Sequence, residues 1–344
     1  MKKSLTYDDI QLVPKYSNVS SRNDINLHTF LSKRYRLLNP IVASPMDTVC
    51  ELEMAYKMFT LGGVGCVHRF NTIEEQVRII KELHHKIYLD ENTVQEWDGD
   101  IPIMAAIGVS ESDKKRAIEL IKVGCNVLLI DVAHGHHKNV KKMLEWCKDN
   151  LSDKVDIIAG NIATKEAAQE LESWGADGLR VGIGGGSLCT TRLKTGFGIP
   201  NVSCLEDVIS VAKTPVMADG GIRSSGDMSK ALALGASQVM LGSLIAGTEE
   251  APGQIIETTK GLYKRYRGSA SLETKVTHGQ QTRNVEGEST TIPYKGGVKF
   301  IVNGLLDGIK SALSYGGAKT LEHFNPPYVK VTNSGINEAK PHLL

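Results

Sequence analysis

The sequence predicts an α/β chain folded as a (β/α)8 barrel, on three observations. Short apolar runs recur along the 344 residues, each ends in a polar or glycine-containing tip, and helical spacing follows them. Eight such units fit a closed (β/α)8, or TIM, barrel better than an open doubly wound sheet.

The runs, in order, are Pro40 to Ala43, Gly63 to Val67, Pro102 to Ala106, Val127 to Ile130, Asp156 to Ala159, Gly178 to Val181, Pro215 to Ala218 and Gln238 to Leu241. Runs this short do not differ from buried helix pieces by periodicity, so length and flanking glycines decide for strands. Between them, Thr72 and Glu75 have the spacing of a capping box opening a helix. Helical patterns also cover Lys114 to Val123, Lys138 to Cys147, Thr164 to Trp174 and Gly226 to Leu234. The connection from Lys86 to Asp100 reads as a short acidic loop, too short for an inserted domain. Tyr263 to Lys295 is polar and lacks apolar periodicity, which suits a lid or binding loop. Val302 to Leu313 reads as a closing helix, weakened by Gly304 and Gly308 at about 1 kcal/mol each against alanine. From Asn325-Pro326-Pro327 onward the chain reads as a surface arm. The organisation expected is one barrel domain over 1–344, with an N-terminal arm, an active-site loop around 263–295 and a C-terminal tail.

Composition narrows the function. A 41% hydrophobic and 23% charged chain is that of a soluble globular protein. The net charge of +1 suggests neither a nucleic-acid nor a membrane surface. Thr6-Tyr7-Asp8-Asp9 follows the start where a secretory signal would be apolar. No run approaches the roughly 18 residues of a membrane helix. The six cysteines form no CxxC pair and no zinc-like spacing, so free thiols in a reducing cytoplasm are expected. His134-Gly135-His136-His137 has no carboxylate or cysteine spaced to complete a metal site, and reads as a helix start.

In this register the residues following each strand lie on the C-terminal rim, where barrels build their sites. They are Ser44 and Met46, His68, Gly108, Asp131, Asn161, Gly182 to Thr191, Asp219-Gly220-Gly221, and Gly242-Ser243. The last two groups follow strands seven and eight, where backbone N–H groups commonly take phosphate. After strand six, Gly182, Gly184, Gly185 and Gly186 lead into Cys189 and Thr190-Thr191-Arg192. A thiol beside hydroxyls and a guanidinium is placed for nucleophilic work. The same residues also suit a strand-to-helix turn around a small buried thiol, and the residues alone leave both readings open.

Several stretches resemble one family. GIGGGSLCTTR (Gly182 to Arg192) is similar to the catalytic loop of the inosine-monophosphate dehydrogenase and guanosine-monophosphate reductase family. LTYDDIQLVP (Leu5 to Pro14), PIVASPMDTV (Pro40 to Val49), ADGGIRSSGD (Ala218 to Asp227), LGSLIAGTEEAPG (Leu241 to Gly253) and IPYKGGV (Ile292 to Val298) match it in the same order. The resemblance covers nearly the whole chain. It implies a barrel that binds a purine nucleotide, a nicotinamide cofactor and often a monovalent cation, usually as a homotetramer. One departure is Gly185, where the family usually has proline.

Both branches of that family begin with a cysteine thiolate attacking C2 of the purine. Its dehydrogenases then activate water with an Arg-Tyr pair on a long flap. They usually carry a regulatory (CBS) insertion after strand two. Here no Arg-Tyr occurs between Ser271 and Ile292, Arg283 is followed by Asn284, and Arg69 to Ile101 leaves no room for the insertion. The resemblance therefore favours a GMP reductase: Cys189 attacks GMP, ammonia leaves, and NADPH supplies hydride to give IMP in purine salvage. The alternative is an IMP dehydrogenase lacking the insertion, which the segments Gly268 to Glu273 and Ala218 to Arg223 resemble equally well.

Residue by residue, the resemblance makes Cys189 the nucleophile and Thr191 with Glu286 the hydroxyl–carboxylate pair for the departing amine. It places the substrate at Ser44, Met46, Ser187, Asp219, Gly220, Gly221, Gly242, Ser243, Gly268, Ser269, Ala270, Arg283 and Gly287. Asp219 takes the ribose hydroxyls, since a carboxylate accepts two hydrogen bonds at once. Cofactor contacts fall on Ser21, Arg22, Asp131, Val132, Ala133, Ser311 and Ser314, with Arg22 suited to a 2′-phosphate. A potassium ion falls to Gly184, Gly186, Cys189 and Arg192.

Overall fold

Apolar strands without polar alternation need cover on both faces, which alternating helices supply. The computed structural model describes residues 3–97, 99–277 and 285–338. Its centre is a closed parallel barrel of β1 (Ile41–Ala43), β2 (Val64–Val67), β3 (Met104–Ile107), β4 (Val127–Asp131), β5 (Asp156–Ile162), β6 (Gly178–Val181), β7 (Val216–Asp219) and β8 (Gln238–Leu241). Closure is β8 onto β1, with Val239 opposite Ile41 and Leu241 opposite Ala43. Each expected run holds a strand. β5 goes further than expected, to Ile162, with a register shift against β6 between Gly160 and Ile162.

Strand alternation sorts the core into two layers. Val42, Cys66, Met104, Ala106, Leu129, Ile158, Met217 and Met240 fill the barrel, joined by Leu31, Tyr35 and Leu37 of the Thr29–Phe30/Arg36–Leu37 hairpin. Ile41, Ala43, Ala105, Leu128, Ile130 and Leu179 face the helices instead.

The longer helices are α1 (Leu52–Thr60), α2 (Ile73–Leu89), α3 (Glu111–Lys122), α4 (Lys138–Asn150), α5 (Lys165–Ser173), α6 (Asn201–Ile209), α7 (Ser225–Ala233) and α8 (Val298–Tyr315). Thr72 Oγ1 accepts from Glu75 N at 3.1 Å, as the spacing predicted. His137 caps α4 by accepting from Asn139 N at 3.1 Å, so the histidine cluster is a helix start. α1 and α6 carried no expectation. They begin after Glu51 and Pro200, neither of which makes a side-chain cap, so the usual start signal is missing.

Two expectations need correction. The Lys86 to Asp100 connection is not all loop: α2 continues to Leu89, and a helical turn, Glu91–Val94, follows, capped by Asp90. Tyr263 to Lys295 is not irregular throughout. Strands Ile256–Thr258, Gly261–Arg267 and Ser289–Pro293 form an antiparallel sheet, and Leu272–Thr277 is a short helix. The outer strands are exposed along most of both faces, so no apolar alternation marks them. In the surface arm after Asn325, Tyr328–Lys330 pairs with Ile10–Leu12 of the N-terminal arm.

α8 is longer than expected and runs through both glycines. A Cβ on Gly308 would run into Ser225 of α7, so the glycine permits the close helix contact. Among the described residues no helix is long and apolar enough to cross a membrane.

Candidate active site

The C-terminal ends of the strands surround a cleft of about 430 Å³. The β6 loop, Gly182 to Thr191, crosses it. Gly182 and Gly184 have φ of 137° and 83°, conformations that a Cβ resists. Opposite stands the antiparallel sheet: Cys189 bridges Gly287, and Gly287 in turn bridges Ser271. Thr190 N donates to Glu286 O at 2.9 Å, and Glu288 N to Leu188 O at 2.9 Å. The sheet therefore registers Glu286 against the thiol loop by backbone pairing.

That register produces a chain of side-chain contacts. Cys189 Sγ donates to Thr191 Oγ1 at 3.2 Å, and Thr191 Oγ1 donates to Glu286 Oε2 at 2.8 Å. Cys189 is half-buried, whereas Cys50, Cys66, Cys125, Cys147 and Cys204 are buried. Burial pushes the thiols of Cys125, Cys147 and Cys204 up to about 12, and those of Cys50 and Cys66 upward as well. An accessible thiol hydrogen-bonded toward a carboxylate can shed its proton along the hydroxyl, and the same path can return it.

The far end of the cleft gathers hydrogen-bond donors. Gly220 and Gly221 turn at φ of 87° and 75°, and a Cβ on Gly220 would lie 2.8 Å from the Gly185 carbonyl carbon. Ser187 Oγ and the Tyr266 hydroxyl meet at 3.1 Å, and a Cβ on Gly242 would come 3.2 Å from that hydroxyl. Burial pushes the Tyr266 hydroxyl up, with the Ser187 contact opposing. Lys295 Nζ donates to the carbonyls of Ser243 and Leu244 at 2.6 and 3.1 Å, fixing the turn after β8. Backbone N–H groups and two hydroxyls suit an anion.

A buried ion-pair network that the sequence reading did not single out lies under the cleft. Arg180, in the middle of β6, is 7% exposed. Its Nη1 donates to Asp131 Oδ1 at 2.6 Å and its Nε to Asp219 Oδ2 at 3.0 Å. Asn161 Nδ2 donates to the same Asp219 oxygen at 2.7 Å, and Arg69 lies 3.6 Å from Asp131 Oδ2. Burial works against the guanidinium's charge, but Asp219 and Asp131 outweigh it and hold its pKa up. A charged residue in a four-residue barrel strand must be paired inside, and that was the available signal. Tyr266, Arg69 and Phe70, also missed, line the cleft too.

Ser44, Met46, Ser187, Asp219, Gly220, Gly221, Gly242, Ser243, Gly268, Ser269, Ala270 and Gly287 all line the cleft, as do Asp131, Val132 and Ala133. Arg283 lies outside the described residues. Four expected cofactor contacts are elsewhere in the chain. Ser21 accepts from Asn23 N at 3.2 Å, capping the Arg22–Asp24 turn, which packs on α8. Ser311 Oγ donates to Asp307 O at 2.9 Å within α8, and Ser314 lies on the same helix. None of the four lines the cleft of this chain. Of the expected cation ligands, Gly184, Gly186 and Cys189 lie in the β6 loop. The Arg192 side chain covers Gly184, its Nη2 donates to Ile199 O at 3.2 Å, and its carbonyl accepts from Gly196 N at 3.1 Å. Among the described residues, no group of three or more His, Cys, Asp or Glu could hold a metal.

Known proteins are similar to this chain along its length. A family model described as the IMP dehydrogenase / GMP reductase domain matches residues 4–342. An inosine-5′-monophosphate dehydrogenase of Cryptosporidium parvum is 37% identical over 99% of this chain and 95% of its own. A GMP reductase of Leishmania donovani is 31% identical over 99% of this chain and 97% of its own. The crystal structure of a variant GMP reductase from Trypanosoma brucei, in complex with guanosine 5′-monophosphate, superposes with a TM-score of 0.93 at 31% identity, covering 100% of this chain and 98% of that one. With a thiol loop after β6, glycine turns after β7 and β8, and a match across almost its whole length, this chain is an oxidoreductase of the IMP dehydrogenase / GMP reductase family.

Proposed function

We propose that the chain is a GMP reductase, converting GMP, NADPH and two protons to IMP, NADP+ and ammonium. The contact from Cys189 through Thr191 to Glu286 carries this reading. The thiol proton passes by way of the Thr191 hydroxyl to the Glu286 carboxylate, and the thiolate attacks C2 of GMP. A sulfur–carbon bond forms as the carbon–nitrogen bond to the 2-amino group breaks. The proton held on Glu286 returns through Thr191 to that nitrogen, so that ammonia leaves rather than an amide anion. Reduced nicotinamide supplies the hydride that C2 then accepts, releasing the sulfur as thiolate. Asp219 accepts from the ribose hydroxyls. The turns at Gly220-Gly221 and Gly242-Ser243, with Ser187 and Tyr266, take the 5′-phosphate, while Ser44 and Met46 pack on the base.

The residues present fit both further groups. Asp131, Val132 and Ala133 line the cleft, leaving a wall for the nicotinamide end beside the purine. Arg22 is the residue for a 2′-phosphate, and since it lies away from this chain's cleft it would act from the homotetramer expected in the cytoplasm. The β6 loop offers a potassium ion neutral backbone carbonyls from Gly184, Gly186 and Cys189, a donor set without carboxylates that suits a monovalent cation.

The likeness to the dehydrogenase of Cryptosporidium parvum supports a second reading, oxidation of IMP with NAD. One paired assay separates them. The reductase should consume reduced nicotinamide with GMP and release ammonia in equal amount. Formation of NADH from IMP and NAD, with no turnover of GMP, would overturn the proposal.

A further inference from the structure

The turn after β7 is held from behind by a side chain that takes no part in the steps above. Asn201, the first residue of α6, is 6% exposed. Its Nδ2 donates to the carbonyl of Gly220 and, at 3.5 Å, to that of Asp219. These carbonyls belong to the peptide planes that carry the N–H groups of Gly221 and Gly220. In a planar trans peptide the C=O and N–H point in opposite directions. An amide that draws both carbonyls to one side therefore turns both N–H groups to the other. Both glycines line the cleft.

The room for Asn201 comes from its neighbours. A Cβ on Gly185 would lie 2.6 Å from Asn201 Oδ1 and 2.8 Å from Nδ2, and a Cβ on Gly221 would lie 2.9 Å from Nδ2. The backbone of Gly221 needs a glycine in any case, at φ of 75°. Gly185 is absent from the positive-φ glycines. What excludes a side chain at Gly185 is the space that Asn201 fills.

We propose that Asn201, seated in the space left by Gly185, is a positioning residue that aims the Gly220 and Gly221 N–H groups at a 5′-phosphate. It thereby sets the preference for a nucleoside monophosphate over the bare nucleoside. The inference rests on the reading of the cleft as a purine-nucleotide site.

The test compares affinity for GMP and for guanosine in five proteins: wild type, Asn201→Asp, Asn201→Ala, Gly185→Ala, and Gly185→Ala combined with Asn201→Ala. Aspartate keeps the shape of asparagine and loses the donor, but it adds a charge that repels a phosphate wherever the N–H groups point, so its loss supports the inference only where Gly185→Ala, which adds no charge, reproduces it. Asn201→Asp should weaken GMP binding by about tenfold or more while guanosine binding stays unchanged, as expected for losing a buried hydrogen bond that orients the phosphate site. Gly185→Ala should produce the same selective loss by pushing Asn201 aside, and should add nothing once Asn201 is alanine. If Asn201→Asp does not fold, Gly185→Ala and the double variant read the same relation. Retention of the full preference for GMP in Asn201→Asp or in Gly185→Ala would overturn the inference. So would equal losses for GMP and guanosine, which mark a merely structural role. A wild-type protein indifferent to the phosphate would overturn the nucleotide reading as well, and is recognised before any variant is made.

Discussion

Thr191 Oγ1 donates to Glu286 Oε2 at 2.8 Å across a sequence separation of 95 residues. The two side chains meet because the stretch leading into the strand Ser289–Pro293 bridges the thiol loop, Gly287 to Cys189. Thr191 has its hydroxyl between sulfur and carboxylate and contacts both at once, the geometry that the proposed proton path requires.

Glu286→Gln should lower turnover of GMP on the order of 10²- to 10⁴-fold, the range for removal of a positioned acid–base group. Binding of GMP should change far less, because the carboxylate's recorded contact is to Thr191. Rapid-quench measurement of ammonia beside equilibrium binding of GMP checks this. Equal losses in both would remove the assigned role.

Alkylation should single out Cys189. The other five thiols are buried, and burial raises the pKa of each, so they present neither access nor thiolate. Brief treatment of the native protein with iodoacetamide, followed by peptide mass spectrometry, should find Cys189 modified and the rest intact until denaturant is added. GMP should protect it. Early modification of Cys204 or Cys147 would contradict the burial described.

The barrel was legible because each strand is a short apolar run with a polar or glycine tip, and the rim residues followed from that register. Glu286 and Thr191 were legible by resemblance alone, since nothing local relates residues so far apart. α1 and α6 were not, because Glu51 and Pro200 provide no side-chain cap to announce a helix. The sheet beside the thiol was not, because strands exposed on both sides carry no apolar alternation. Arg180 passed as part of an apolar run, and its partners Asp131 and Asp219 lie on other strands, 49 and 39 residues away in sequence.

Acid should expose the turn after β3. Asp113 accepts from Ser110 N at 3.0 Å and from Ser110 Oγ at 2.5 Å, and a Cβ on Gly108 would collide with the same carboxylate at 2.5 Å. Burial works to raise its pKa, but the bonds from Ser110 and Gly108 and the charge of Arg69 outweigh it, leaving the carboxyl below its ordinary value. A depressed carboxyl stabilises the fold above the unfolded value of about 3.9, and that contribution is lost as pH falls through the lower folded value. Asp113→Asn should therefore cost about 1–2 kcal/mol at neutral pH. Its deficit against wild type should shrink below about pH 4, where the unfolded chain takes up the proton first. Urea unfolding of both proteins across that range measures it, and a pH-independent deficit would show that charge is not what Asp113 contributes.

Asp219 should govern recognition of the sugar. Its Oδ2 is already committed to Asn161 Nδ2 at 2.7 Å and Arg180 Nε at 3.0 Å, while the residue as a whole lines the cleft. In Asp219→Asn those two donors demand an oxygen on their side, so the new amide turns its own NH2 toward the position the ribose would occupy. A ribose hydroxyl that had donated to a carboxylate then faces another donor. Hydrogen bonds to charged groups contribute about 1.5–3 kcal/mol, so affinity for GMP should fall roughly 10- to 100-fold. The ratio of GMP to 2′-deoxy-GMP affinity should fall with it, because the deoxy sugar has less to lose. Alkylation of Cys189 should persist in this variant, since the thiol and its Thr191 contact lie on the separate β6 loop. A variant that keeps the wild-type ratio would show that the Asp219 carboxylate serves the Arg180 network and not the sugar.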